Sequence, residues 1–127
     1  MSPADEFSPK LWSFVALTKG DESKIRNALS ELSKEEFVEL IREFERAKTK
    51  LWLAFDDESR LFGTGISDDG KHDIFANVVS LGKEHYNHVF HHPEDLKTDI
   101  EPNESPMVFV PGPLFWELFE EELNALL

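Results

Sequence analysis

The chain has 127 residues and no cysteine, and its 13 basic against 26 acidic side chains give a formal charge of −13. That length is about one domain's worth, so residues 1–127 are expected to form a single helical domain. Missing thiols exclude disulfide scaffolds, cysteine nucleophiles and cysteine-ligated zinc, and the negative charge argues against nucleic acid and anionic membrane surfaces, both of which would repel it.

In chain order, the first helix signal is Ser8-Pro9, a capping residue followed by a proline at the first helical position. Leu11, Trp12, Phe14, Val15 and Leu17 follow as its apolar residues, and Gly20 marks its end. Asp21 is placed to cap a second, short helix that carries Ile25, Ala28, Leu29 and Leu32 at helical spacing. Ser33-Lys34-Glu35-Glu36 reads as a capping box for a third. Phe37, Leu40, Ile41, Phe44, Ala47, Leu51, Trp52 and Phe55 then recur on one face for more than five turns. Asp57 to Ile66 is broken by Gly63 and Gly65 and holds at most one helical turn, around Arg60-Leu61-Phe62.

Ser67 is expected to cap the next helix, with Asp68 and Asp69 in its first turn complementing the helix dipole. Ile74, Phe75, Val78 and Val79 form its apolar face, Gly82 a break, and Tyr86, Val89 and Phe90 a continuation up to Pro93. Residues 94–112 read as a loop rich in acids and prolines. Within it, Met107-Val108-Phe109-Val110 is too short to distinguish a strand from an extended strap. A last helix is expected from Pro113, with Phe115, Phe119, Leu123 and Leu126 in one stripe that Trp116 and Leu127 widen. The fold class is all-α, a compact bundle of about six helices with an extended Pro-rich loop before the last.

The run Ser67-Asp68-Asp69-Gly70, then Val78-Val79-Ser80, Gly82-Lys83-Glu84 and Tyr86, resembles a bacterial family known as a domain of unknown function. That family's core reads Ser-Asp-Asp-Gly, Trp-Leu-Ile-Ser and Gly-Arg-Glu-x-Tyr. Leu32 to Phe37 upstream and His92-Pro93-Glu94-Asp95-Leu96 downstream fit its layout, so the resemblance covers roughly residues 10–96 and leaves 97–127 outside. Lys71, Ile74, Phe75 and Asn77 stand where the family has an aromatic, a Phe, an Arg and a Trp, and Lys83 replaces its Arg. The resemblance implies a compact helical domain and no established chemistry.

Candidate chemistry is sparse. Asp68 and Asp69 with His72 and Asp73 form an acidic cluster, but the oxygen spacing and closing Glu of a calcium loop are missing. Glu84, His88 and His92 share a helical face within the His85–His92 group, a workable zinc spacing that is also a good way to place imidazoles at a helix C-terminus. Gly63-Thr64-Gly65 lacks the rest of a phosphate loop, and Gly65-Ile66-Ser67-Asp68-Asp69 fails the nucleophile-elbow pattern.

Negative charge is concentrated late: from Glu94 onward there are nine acids and one lysine, −8 of the −13. Phe109 and Trp116 near Glu117, Glu120 and Glu121 therefore suggest aromatic anchors in an acidic rim. The leading expectation is a non-enzymatic, cofactor-free protein-binding module for a basic protein partner, such as an immunity or inhibitor protein. A metal-binding protein or metal-dependent enzyme, and a structural or oligomerisation domain, are the alternatives. No run approaches the ~18 apolar residues of a membrane span. The N-terminus lacks the basic and apolar regions of a signal peptide, so a cytoplasmic location is expected.

Overall fold

Local signals decide most of the helices. In the computed structural model, which describes residues 2–55, 68–101 and 104–127, α1 spans Pro9–Thr18, α2 Glu22–Ser30 and α3 Lys34–Phe55. Beyond residues 56–67, α4 spans Asp68–Ser80 and α5 Lys83–His91, followed by α6 (Pro106–Phe109) and α7 (Pro111–Phe119). Short 3-10 turns occupy Pro3–Glu6, Pro93–Asp95 and Leu123–Ala125, and no strand occurs among the described residues. The fold is all-α. The segment 57–66 with its Arg60 turn, the Gly63-Thr64-Gly65 run and the capping role of Ser67 lie outside the described residues.

Two caps form as their sequences require. The Lys24 backbone N–H donates to Asp21 Oδ1 at 2.9 Å, closing the start of α2. At α3, the Glu36 N–H donates to Ser33 Oγ at 3.2 Å and the Ser33 N–H to Glu36 Oε1 at 3.1 Å. Those bonds favour the ionised carboxylate and lower the Glu36 pKa. The start of α1 differs. Ser8 holds the capping position, but its hydroxyl and its backbone N–H both donate to Glu43 on α3. A residue 35 positions away thus accepts from both Ser8 donors and ties the start of α1 to α3.

Along α3, Phe37, Leu40, Ile41, Phe44, Ala47, Leu51 and Phe55 are all buried, and Trp52 is partly so. The helix is about 33 Å long at ~1.5 Å per residue, and α1 and α4 pack along it, with α5 against α4. At one end Tyr86 is fully buried, its hydroxyl donating to the Ala47 carbonyl at 2.9 Å. Burial raises the Tyr86 pKa further above its ordinary value. Trp12 lies 5.4 Å from that ring and Phe90 5.1 Å. Trp12 Nε1 also donates to the Ala4 carbonyl at 2.9 Å, which fastens the first 3-10 turn over this aromatic group. At the other end Phe37 packs edge-on against Phe115 at 5.0 Å and Phe119 at 6.2 Å, seating α7 on the start of α3.

The C-terminal third departs from the sequence reading. Met107 to Val110 is neither strand nor strap: Pro106 and Pro111 each take a first-turn position, where a missing N–H costs nothing, and start α6 and α7. The last helix therefore begins at Pro111 rather than Pro113. It ends at Phe119, where Glu120 adopts a left-handed conformation (φ 54°). Three consecutive glutamates oppose the negative end of the helix dipole, so continuing the helix through Glu120-Glu121-Glu122 is disfavoured. Leu123 is still buried, carried inward by the 3-10 turn, while Trp116 does not widen the core stripe and is 52% exposed.

Candidate functional site

The described residues of the motif segment lie along α4 and the start of α5. Asp68 and Asp69 lie exposed in the first turn of α4. Gly70 sits one residue on, inside the same turn. Ser80 is buried, its hydroxyl without a hydrogen-bond partner. Gly82 has φ 109°, a region that side chains rarely enter, and so permits the break between α4 and α5. Lys83 pairs with Asp5 at 3.0 Å, holding that carboxyl below its usual pKa together with bonds from Ser2. Glu84 is exposed and Tyr86 belongs to the core. Among the described residues of this set, Lys83 and Tyr86 make their polar contacts within the fold.

The titratable clusters behave similarly. His88 and His92 stack at 4.8 Å, and each takes a carboxylate from the following turn: His88 Nε2 lies 2.6 Å from Asp95 and His92 Nδ1 3.2 Å from Glu94. His85 is half-buried, and that burial, with the charge of His88 second, lowers its pKa. His72 packs on Trp52 at 4.7 Å, while burial and the neighbouring Asp69 charge raise the Asp73 pKa. Among the described residues no group of three or more His, Cys, Asp or Glu side chains is arranged to hold a metal ion.

On the C-terminal side, exposed Val108, Phe109, Pro113 and Trp116 follow helical spacing across α6 and α7. The acids around them are partly committed. Glu117 pairs with Arg26, and Glu121 pairs with Lys34 at 2.5 Å, both bridges to earlier helices. Glu120 remains exposed as the left-handed cap of α7. This surface is thus more apolar and less negative than its sequence suggests.

A second surface was not evident from the sequence. Between α1, α2 and α3 runs an open groove of about 860 Å³, near the upper end of the ~300–1,000 Å³ usual for binding pockets. Phe14 and Leu17 of α1, Ala28 of α2, Leu32 just beyond it and Leu40 of α3 provide apolar lining. Leu17 is 66% exposed, because it falls on the outer side of α1 while Leu11, Phe14, Val15 and Thr18 turn inward. Glu31, Glu35, Glu36, Glu39 and Glu43 also line the groove, against a single cation among the described residues, Lys10.

Three of those five glutamates have work within the fold. Glu36 completes the capping box, Glu43 holds Ser8, and Glu39 pairs with Arg42 at 2.9 Å. Glu31 and Glu35 have no ion pair among the described residues. Glu35, Glu39 and Glu43 are four residues apart on one helix, an arrangement of like charges that costs about 0.2–0.5 kcal/mol per pair. The visible signals are this four-residue rhythm, beginning at Glu31, and the out-of-phase Leu17. Neither becomes a surface until three helices are placed together.

No protein-family model, curated protein or solved structure matches the chain. No described helix is long and apolar enough to cross a membrane.

Proposed function

We propose that this protein is a non-enzymatic binding module for a basic protein partner, engaged through the groove between α1, α2 and α3. The observation that carries the reading is an apolar groove whose charged lining, among the described residues, is five glutamates and one lysine. An apolar floor supplies burial energy, and the surrounding carboxylates select positive partners and speed their encounter. Nucleic acid and anionic lipid would be repelled by the same field. An immunity or inhibitor protein covering a basic toxin or nuclease-like partner is the form of this activity that the charge suits best. The resemblance of the segment from Ser67 to Tyr86 is part of the proposal only as a source of architecture.

Immobilised protein exposed at low salt to lysate of its own host should retain basic proteins that elute as salt rises, since screening shortens the Debye length from ~10 Å at 0.1 M to ~3 Å at 1 M. If nothing basic is retained at low salt, the reading fails.

A structural or oligomerisation role is the second reading, favoured by the exposed apolar row Val108, Phe109, Pro113 and Trp116. It predicts a concentration-dependent dimer in sedimentation that Trp116→Lys dissociates. A monomer across the whole concentration range would remove it.

A further inference from the structure

We infer that the segment occupying the α1–α2–α3 groove is an amphipathic, basic α-helix of the partner protein. Its apolar face sits on Phe14, Leu17, Leu32 and Leu40, and its lysines or arginines face Glu31, Glu35 and Glu39. The inference rests on the protein-binding reading above and goes further by fixing the shape and charge pattern that the partner presents.

Shape comes first. The groove is built by helices, whose backbone groups are bonded within themselves, and no strand among the described residues offers an edge. An extended segment on that apolar floor would leave its own N–H and C=O groups without partners, whereas a helix satisfies them internally. A helix laid in a groove also presents anchors at i, i+3 or i+4, and i+7, which the apolar residues contributed by α1 and α3 can receive.

Charge spacing agrees. Glu35, Glu39 and Glu43 recur every four residues along α3, or about 6 Å at ~1.5 Å per residue. Basic residues four apart on a second helix recur at the same interval, so successive charges stay in register. Glu31 and Glu35 are the lining carboxylates with neither an ion pair nor a side-chain hydrogen bond among the described residues, where Lys10 is the one cation of the lining. A second copy of this chain is a poor occupant, because its charge of −13 is of the same sign.

The experiment uses the whole protein, isotope-labelled, and two synthetic peptides of identical Leu and Lys composition. One has Leu at i, i+3, i+4 and i+7; the other alternates Leu and Lys, a strand pattern. At about 14 residues the first is largely unfolded when free, so a gain of helical circular dichroism on mixing reports docking. The expected result is binding at least about tenfold tighter for the helical pattern than for the alternating one. Amide shifts should centre on Leu17, Leu32 and Leu40, and both Glu31→Lys with Glu35→Lys and Leu17→Ser should weaken the complex. These three positions are exposed or partly exposed and hold no internal ion pair, so the variants are expected to fold. Equal binding of both peptides, or shifts centred on Val108, Phe109 and Trp116, overturns the helix-in-groove inference and leaves a basic partner in place. If neither peptide binds at low salt, the inference falls, and retention of basic proteins by the intact domain then decides the broader reading separately.

Discussion

His85 shows how a single side chain can make stability depend on pH. Burial holds its imidazole below the ordinary 6.5, with the charge of His88 as the second cause. A depressed histidine pKa means that the folded state binds its proton less readily than the unfolded chain does. Its contribution is therefore complete above the unfolded value and is lost as pH falls through 6.5 toward the folded pKa. His85→Gln should flatten the decline in melting temperature between about pH 7 and pH 5 relative to the native protein. An identical slope in the variant would show that burial of this ring has no bearing on acid sensitivity. Asp73 has the opposite sign, since its raised pKa favours the neutral acid in the fold, and its charged form costs stability as pH rises.

At the scale of elements, Gly82 bears on the join between α4 and α5. Its φ of 109° lies where a side chain is strained whatever the space, and a Cβ there would meet nothing within 4 Å. Gly82→Ala should therefore cost about 1–3 kcal/mol through the backbone alone. Chemical denaturation measures this, and a change within error of zero would mean that the break tolerates ordinary residues. Gly82, the start of α3 and its core-facing stripe were legible in the sequence because their causes are local: a glycine at a break, a capping box, an apolar repeat over many turns. The α6–α7 region was not, because four apolar residues between two prolines carry no readable period. Its conformation is settled by neighbours, including the Ser105 hydroxyl donating to the Asp73 carbonyl at 2.7 Å and the packing of Phe115 on Phe37. The expected acidic rim was likewise altered by distant partners, Arg26 and Lys34, which sequence spacing does not bring to Glu117 and Glu121.

Across the whole molecule, charge and shape divide between two surfaces. The C-terminal acids are numerous but partly neutralised, and they border an apolar row on α6 and α7. The α1–α2–α3 groove combines unneutralised carboxylates with apolar lining, and it is the surface to which the binding proposal is tied. The most direct measurement is calorimetric titration of a retained basic partner into native protein and into the variant carrying Glu31→Lys and Glu35→Lys, at low salt. Circular dichroism first establishes that both fold alike. Placing like charges against the partner costs several kcal/mol, so the account predicts affinity at least about a hundredfold weaker in the variant. Equal affinity for the two proteins would contradict it.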